Sequence, residues 1–315
     1  MHLQNTVNAR SGFADMHNLR GASSVRNGCG AAAHPVVLIT GGSAGIGRAI
    51  AHEFAEHGHD LFLIGRRAVP LQNAARDLAD RFAVQVHTLA LDITSAGAID
   101  CISEKLASSD LFVSHLINNA GTWLNGPILK ADTQSLGHVL SANVLAVHAI
   151  TRAVLPDMIQ RRRGAILNVG SLAGMVPTPG FAFYGASKSF LHSMTMALRE
   201  ELRGTCISVA LLAPGLVQTA FVMPVPRLSP LALVASSPQT VARAAYRGLM
   251  SNQSIVVPGF FWLIVWLGIR LIPRRVSARI LSALMLVSAA RHTSNAATLP
   301  DLDPKGIGPA NVLIK

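Results

Sequence analysis

The chain has 315 residues and a formal net charge of +11, and its length fits one large domain or two small ones. Half of its residues are hydrophobic, so it can bury a sizeable core, and only 14% are charged, which excludes a disordered or coiled-coil protein. A strongly basic chain first suggests a nucleic-acid partner, and the distribution of the charge along the chain tests that suggestion.

The positive charge is concentrated towards the C-terminus. Residues 36–226 hold fourteen Lys and Arg against thirteen Asp and Glu, whereas residues 227–291 hold eight Arg and no acid. The longest apolar run lies in the same basic segment. Basic and apolar residues together favour a membrane surface, and no module with aromatic or polar readout groups accompanies the charge. We therefore predict no nucleic-acid partner.

Two terminal segments lie outside the predicted domain. Residues 1–34 lack periodicity and carry three Arg against one Asp, a composition that resembles an organellar targeting segment. A disordered tail, or an initiation site further along at Met16, are the alternatives that we favour. Residues 292–315 are rich in Pro, Gly and Asn, and we expect a flexible tail there.

The cysteines do not indicate a metal site. Cys29, Cys101 and Cys206 are far apart in the sequence and form no CxxC pair or ligand spacing. We predict no bound metal, and we expect buried or incidental thiols in a reducing compartment.

Strands and helices alternate from residue 35 onwards. The short apolar runs predict buried strands at 35–40, 60–64, 84–90, 112–118, 165–170, 206–212 and 253–257. The segments between them predict helices at 46–57, 69–82, 95–107, 133–160 and 182–203. This spacing indicates an α/β fold, a doubly wound parallel sheet of about seven strands with helices on both faces.

A glycine-rich turn joins the first strand to the first helix. Its sequence is Thr40-Gly41-Gly42-Ser43-Ala44-Gly45-Ile46-Gly47, a GxxxGxG spacing. Glycines let the backbone approach a pyrophosphate, and the helix N-terminus offers free N–H groups to the anion. The pattern predicts a dinucleotide site, and an ordinary strand-to-helix turn is the alternative.

The end of the second strand indicates which dinucleotide binds. An acid there would accept hydrogen bonds from the adenosine ribose of NAD, but this strand ends in Gly65-Arg66-Arg67. Arginines suit a 2′-phosphate, so we predict NADPH rather than NADH. A solvated loop pair is the alternative for the two arginines.

Tyr184 and Lys188 are four residues apart at the start of a predicted helix, so they share one face. A nearby ammonium, helped by the positive charge of a nicotinamide, favours the phenolate and lowers the tyrosine pKa from about 10. We predict that the pair serves as a general acid or base. A pair on the surface of the helix is the alternative.

Four segments should converge at the carboxyl edge of the sheet, where ligands bind in parallel α/β folds. Besides the glycine-rich turn, these are Asn118-Asn119-Ala120-Gly121 after the fourth strand, Ser171 after the fifth and Pro214-Gly215 after the sixth. Such convergence is hard to explain by packing alone, so we expect one site there.

The chain resembles the short-chain dehydrogenase/reductase family over about residues 36–257. The motifs that carry the resemblance are Thr40-Gly41-x-x-x-Gly45-x-Gly47, Asp92, Asn118-Asn119-Ala120-Gly121, Asn143, Ser171, Tyr184-x-x-x-Lys188 and Pro214-Gly215. One departure is Ala44, where some NADPH-preferring members have a basic residue. The resemblance implies a single Rossmann-like catalytic domain, at residues 35–258, that interconverts a ketone or aldehyde and an alcohol by hydride transfer.

The resemblance also implies roles for individual residues. Tyr184 would be the acid or base, Lys188 would hold the nicotinamide ribose, Ser171 would bind the carbonyl oxygen, and Asn143 would hold a water linking Lys188 to solvent. The implied cofactor-binding residues are Thr40, Gly41, Ser43, Gly45, Ile46, Gly47, Arg66, Arg67, Asp92, Asn119, Ala120, Gly121, Tyr184, Lys188, Pro214, Gly215, Val217 and Thr219.

The hydrophobic basic segment 259–291 is a C-terminal helical extension in this interpretation. Its two apolar stretches, 259–272 and 280–290, are each too short to span a bilayer, and Trp262 and Trp266 are typical of a membrane interface. We favour membrane association on the cytoplasmic side, and the alternatives are a homo-oligomer interface, a lid over the substrate or plain core packing.

The predicted substrate is an apolar carbonyl compound or alcohol of the lipid, ketoacyl or steroid type, because the extension resembles that of membrane-associated ketoreductases. Residues 122–132 and 220–237, which include Trp123, Phe221 and Met223, should frame its pocket. Phe181 and Phe183 should flank it, and plain core packing is the alternative for either of them. The alternative function is a catalytically silent NADP-binding regulatory protein. The complete Asn, Ser, Tyr and Lys set speaks against it.

Overall fold

The computed structural model describes residues 33–124, 126, 128–219 and 234–283. Seven strands form one parallel sheet in these ranges. In chain order they are β1 (His34–Thr40), β2 (Leu61–Gly65), β3 (Val86–Ala90), β4 (Leu111–Asn118), β5 (Gly164–Val169), β6 (Ile207–Leu212) and β7 (Ile255–Val256). All seven lie within about two residues of the predicted strands.

Eight α-helices accompany the strands in the described part of the chain. They are α1 (Gly45–Glu56), α2 (Ala68–Phe82), α3 (Ala98–Ser108), α4 (Thr133–Leu140), α5 (Ala146–Arg161), α6 (Ala182–Glu201), α7 (Pro238–Met250) and α8 (Phe260–Leu271). A further helical stretch covers residues 274–283, where the described range ends.

The strand order is β3-β2-β1-β4-β5-β6-β7, with every neighbouring pair parallel. The direction of winding reverses between β1 and β4, and ligands of open α/β sheets bind in the crevice at such a switch point. The predicted Rossmann-like, doubly wound fold is confirmed.

Both faces of the sheet are buried beneath helices. On one face, Phe54 of α1, Leu71 of α2 and Val241 of α7 pack in a single apolar cluster with strand residues. On the other face, Ile102 of α3 and Ile150 of α5 belong to a second cluster. The strands are continuous apolar runs because each is covered on both sides.

The structure adds details that the sequence patterns missed. The predicted helix 133–160 is interrupted by a π-helical turn, Ser141–Leu145, between α4 and α5. Helix α7 was not predicted, although Ser237 caps it by accepting a hydrogen bond from the Thr240 nitrogen and Pro238 occupies its first turn. This Ser-Pro start is a typical helix signal.

The structure tests the predictions for two of the three cysteines, and the third cysteine and most of the terminal segments lie outside the described ranges. Cys101 and Cys206 are free thiols and both are exposed, so the prediction of buried thiols is wrong for these two and that of incidental thiols remains. Cys29 lies outside the described residues, as do residues 1–32 and 284–315 of the predicted terminal segments.

One helical stretch of the described residues, Thr133–Arg161, is long and apolar enough to cross a membrane. It contains α4, the π-helical turn and α5, and buried residues such as Ile150, Val154 and Met158 pack it against the sheet. A core helix explains its composition. Helix α8 is apolar but has only twelve residues.

Candidate active site

A cleft lies at the carboxyl edge of the sheet, around the switch point between β1 and β4. Its walls come from the loops after β1, β2, β3, β4, β5 and β6 and from the start of α6. Of the predicted site residues, all line this cleft except Thr40, Gly47 and Asn143. Those three lie directly behind the wall.

The glycine-rich turn forms a cradle at one end of the cleft. Gly41 and Gly45 have φ angles of +70° and +56°, in the left-handed region that favours glycine. A Cβ atom on Gly47 would lie 2.3 Å from the Gly41 carbonyl oxygen, so only glycine fits. Helix α1 begins there without a side-chain cap, which leaves its first N–H groups directed at the cleft. This geometry fits a pyrophosphate.

Thr40 and Asn119 hold the two central strands together behind the cradle. The Thr40 hydroxyl accepts hydrogen bonds from the backbone nitrogens of Asn119 and Ala120, each at 3.0 Å. The Asn119 amide donates to the Thr40 carbonyl oxygen at 2.9 Å. Asn118 points away from the cleft and donates to Asn168 Oδ1 at 2.8 Å, which ties β4 to β5.

Arg66 and Asp92, two predicted cofactor residues, contact each other. Arg66 Nη1 lies 3.9 Å from Asp92 Oδ2, and Thr94 donates to Asp92 Oδ1 from both its nitrogen and its hydroxyl. Burial raises the pKa of Asp92, but the Thr94 hydrogen bonds and the Arg66 charge outweigh this and hold that pKa below its usual value. Arg67 is exposed at the start of α2.

Arg48, which directly follows the glycine-rich turn on α1, forms its ion pair outside the cleft. Its guanidinium donates to Asp77 Oδ2 at 3.0 Å and does not line the cleft. Among the arginines of the described ranges, Arg66 and Arg67 at the end of β2 are thus the ones that line the cleft.

Tyr184, Ser171 and Lys188 meet at the opposite end of the cleft. The Ser171 hydroxyl is near enough to Tyr184 to favour its phenolate and lower its pKa. Ser171 Oγ also accepts from the Ala173 nitrogen at 3.1 Å. Lys188 Nζ lies 5.8 Å from the Tyr184 ring centre and donates to the Val169 carbonyl oxygen at 2.8 Å.

The protein's own groups shift both pKa values away from ionisation. Burial raises the pKa of Tyr184, an effect that the nearby Ser171 hydroxyl partly offsets. Burial lowers the pKa of Lys188 to about 8. In the protein alone burial is therefore the dominant influence on the Tyr184 pKa, and the predicted lowering, which also invokes the charge of the nicotinamide, stays a prediction for the complex.

Asn143 lies in the π-helical turn and is fully enclosed. Its carboxamide accepts from the Thr122 nitrogen and donates to the Thr122 carbonyl oxygen, each at 2.8 Å, and it donates to Ser187 Oγ at 2.9 Å. A Cβ atom added to Gly121 would lie 2.8 Å from Asn143 Oδ1 and 3.7 Å from Lys188 Nζ. Asn143 and Lys188 are thus close neighbours behind Gly121.

His192 is a neighbour of Ser171 that the sequence analysis missed. Its Nε2 atom lies 3.5 Å from the Ser171 nitrogen, and its ring fills the space beside Gly170 and Gly174. Burial and the nearby Lys188 lower the pKa of His192 to about 4, so the ring is neutral. Its position four residues after Lys188 on the same helix face could have revealed it.

Trp262 of α8 is the second missed neighbour of the cleft. A Cβ atom on Gly215 would lie 2.0 Å from its indole ring, and its Nε1 donates to the Val234 carbonyl oxygen at 2.9 Å. The C-terminal extension therefore rests on the loop after β6, where Val217 and Thr219 also line the cleft.

Several other residues line the cleft without having been predicted. Thr94 follows Asp92 and could have been found from its position after β3, whereas His138 reaches the cleft from α4 across a long separation in sequence.

Trp123 and Phe181, predicted near the substrate, have ring centres 5.7 Å apart. Phe183 is half-buried on α6, and Phe221 and Met223 lie outside the described residues.

The comparison with protein families identifies the family to which this chain belongs. A family model described as short chain dehydrogenase matches residues 35–227, more than half of the chain. The chain belongs to the short-chain dehydrogenase/reductase family. The resemblance of the sequence motifs is confirmed by this match.

Curated relatives agree with the family. The chain is 40% identical over 190 residues, 60% of its length, to sulfoacetaldehyde reductase 2 of Chromohalobacter salexigens, and the match covers 75% of that protein. It is 38% identical over 183 residues, 58% of its length, to the NADP-dependent 3-hydroxy acid dehydrogenase YdfG of Salmonella typhi, of which 72% is covered.

Among solved structures, a short-chain dehydrogenase from Sphingobium yanoikuyae, in complex with NADPH, is similar. The two share 26% identity and a TM-score of 0.67, and the similarity covers 87% of this chain and 99% of that one. The similarity thus extends over most of the present short-chain dehydrogenase/reductase.

Proposed function

We propose that the chain interconverts a ketone or aldehyde and an alcohol through hydride transfer with NADP(H), and that Tyr184, Ser171 and Lys188 carry the chemistry. The observation that supports this most is that Ser171, Tyr184 and the buried Lys188, whose Nζ lies 5.8 Å from the Tyr184 ring centre, line the same cleft as the glycine cradle. The dinucleotide supplies the hydride when bound.

Tyr184 is the proton donor to the carbonyl oxygen in reduction and the base in oxidation. Ser171 Oγ accepts from the Ala173 nitrogen, so its own O–H is available to donate to the same oxygen and stabilise the developing negative charge. Burial keeps the Tyr184 phenol protonated in the protein alone. The ammonium of Lys188 and the positive nicotinamide of the oxidised cofactor favour the phenolate in the oxidation direction.

Lys188 holds the nicotinamide ribose. An ammonium has three N–H donors, and one of them already bonds the Val169 carbonyl oxygen, which fixes the direction of the side chain. Asn143 positions this region from behind Gly121, and we propose that it also holds the water that links Lys188 to solvent.

The cradle from Gly41 to Gly47 holds the pyrophosphate of NADP(H). Arg66 and Arg67 bind the 2′-phosphate, and Asp92 binds the adenine amino group. Relatives named as NADP-dependent, and a similar structure holding NADPH, support this choice of dinucleotide. The other proposed contacts come from the loops after β1, β4 and β6: Ser43, Ile46, Asn119, Ala120, Gly121, Pro214, Gly215, Val217 and Thr219.

An apolar carbonyl compound or alcohol of the lipid, ketoacyl or steroid type is the substrate class that we propose. The aromatic rings of Trp123 and Phe181 support it, as does the apolar helix α8, whose Trp262 lies against Gly215 at the cleft. A second candidate is a small anionic carbonyl compound, which the names of the sulfoacetaldehyde and 3-hydroxy acid relatives favour.

The domain layout follows from this function. We propose a catalytic domain at residues 35–258 and a hydrophobic basic segment at residues 259–291. We propose that this segment attaches the protein to a membrane on its cytoplasmic side, and fractionation of cells expressing the full chain tests this. A homo-oligomer interface or a lid over the substrate are the alternatives for the same segment.

A substrate panel with purified protein tests the reaction. NADPH oxidation is followed with a long-chain ketoacyl compound, a ketosteroid, a small aldehyde, sulfoacetaldehyde and a small 3-oxo acid. We expect the highest kcat/KM with the apolar compounds, and a preference for the anionic ones would support the second candidate. Tight NADPH binding without carbonyl-dependent oxidation of any compound would instead support the regulatory alternative.

A further inference from the structure

Helix α8 has two apolar faces, and within the part of the chain that the structure describes only one of them is packed. Trp262, Val265 and Trp266 contact the cluster formed by Leu172, Leu211 and Ala213. In a helix of 3.6 residues per turn, these three positions form one stripe. They attach the helix firmly beside β6 and β7.

The opposite stripe of α8 faces outwards. Phe260 is 78% exposed and Leu271 is 86% exposed, and Phe261, Ile264 and Leu267 lie between them with about half of their surface exposed. Single exposed apolar side chains are common on protein surfaces, but five large ones in one contiguous face form a patch of the kind that marks an interaction site. The patch formed by these five residues is called the outer face below.

Positive charge borders the outer face. Arg270 lies within α8, stacked on the Trp266 ring at 4.9 Å, and Arg274, Arg275 and Arg279 follow as exposed side chains in the helical stretch 274–283. No acid occurs anywhere in residues 227–291. An occupant of this surface must therefore be apolar in its interior and negatively charged at its border.

We infer that the outer face binds the surface of an anionic lipid bilayer, with α8 lying in the plane of the interface. This inference rests on the membrane association proposed above and specifies its chemistry. The acyl region accepts the five apolar side chains and the headgroup phosphates pair with the arginines. Twelve residues span about 18 Å as a helix, which is shorter than the bilayer core of about 30 Å, so α8 does not cross.

A second copy of the chain fits this surface less well. In a two-fold symmetric contact the same surface patch of each copy meets the other, so the positively charged borders that contain Arg274, Arg275 and Arg279 would approach each other. No acid in the segment would compensate for their repulsion.

The orientation connects the bilayer to the cleft. Trp262 lies on the packed stripe of α8 and contacts Gly215 at the cleft, so α8 has the lipid surface on one side and the wall of the cleft on the opposite side.

Vesicle flotation with the purified full-length protein tests the inference. We expect binding to vesicles of phosphatidylcholine with phosphatidylglycerol, weaker binding to phosphatidylcholine alone, and release by high salt. Absence of binding to the anionic vesicles, or equal binding to both compositions, would overturn the inference.

Two matched pairs of variants locate the contact. Leu267→Asp should lower the partition coefficient roughly tenfold or more, whereas Met250→Asp, which makes the same charge change at a half-exposed site on α7, should leave it unchanged. Substituting Gln for both Arg274 and Arg275 should weaken binding roughly thirtyfold. The same change at Arg243 and Arg247, which are exposed on α7, should have a much smaller effect. Equal effects within either pair would contradict the assignment of the outer face.

Two controls separate this inference from other failures. Turnover of a water-soluble carbonyl compound with NADPH should be the same in Leu267→Asp and in the wild type, which shows that the variant is folded. Full turnover without vesicle binding overturns only the membrane inference, and vesicle binding without turnover overturns only the proposed reaction. Concentration-dependent dimerisation that Leu267→Asp abolishes would instead identify a second copy as the occupant.

Discussion

The ammonium of Lys188 donates a hydrogen bond to the Val169 carbonyl oxygen at 2.8 Å, from a side chain that is almost completely buried. Val169 is the last residue of β5, two residues before Ser171, so this bond connects the catalytic helix α6 to the strand that delivers the serine. Burial of the ammonium has an energetic cost, which is why the pKa of Lys188 lies near 8 rather than at its ordinary 10.5.

The free energy of unfolding should depend on pH through Lys188. Because the folded-state pKa lies below the unfolded value, the unfolded chain holds more protons between pH 8 and 10.5, and stability rises with pH across that window. Relative to Lys188→Met, which has no titrating group there, the wild type should gain about 1 kcal/mol between pH 7 and pH 9. Urea denaturation at the two pH values measures this gain, and a constant difference between the two proteins would contradict the lowered pKa.

Replacing Tyr184 with Phe should lower kcat by roughly 10²- to 10⁴-fold, because a positioned acid or base contributes about that much. The dissociation constant of NADPH should change little, since the ring is retained. Stopped-flow measurement of turnover and fluorescence titration of NADPH provide the two readouts. Turnover within about tenfold of the wild type would exclude Tyr184 as the proton donor.

Replacing Arg66 with Met should weaken NADPH much more than NADH. Loss of a charge-assisted contact to the 2′-phosphate should raise the NADPH dissociation constant roughly tenfold to a hundredfold, while that of NADH changes less than about threefold. The matched control is Arg48→Met, because Arg48 pairs with Asp77 outside the cleft. Equal losses for both dinucleotides would assign Arg66 to the ion pair with Asp92 alone.

The contact between Gly215 and Trp262 predicts a strong coupling between the two positions. Gly215→Ala places a methyl group 2.0 Å from the indole ring and should lower the free energy of unfolding by about 1–3 kcal/mol. In the Trp262→Ala background the space is open, and the same change should cost less than about 0.5 kcal/mol. Denaturation of the four proteins gives the coupling energy, and additive effects would show that α8 does not rest on this loop.

Local sequence patterns determined the fold, the family and the edge of the sheet where the site lies. The seven apolar runs predicted the strands because parallel strands are buried on both faces, and the glycine spacing, with Tyr184 and Lys188 four residues apart, marked the two ends of the cleft. These features depend on residues close together in the chain, so their period and spacing are visible in the sequence alone.

Only the tertiary structure decided which distant residues touch. The ion pair of Arg66 with Asp92, the bond from Lys188 to Val169 and the contact of Trp262 with Gly215 each join segments that packing brings together. Burial, which raises the pKa of Tyr184 in the protein alone, is likewise a property of the packed surroundings. The sequence showed that segment 259–291 is apolar and basic, but only the packing of α8 distinguished its attached face from its outer face. A helix that is apolar on every side has no hydrophobic periodicity that would show which face packs against the protein.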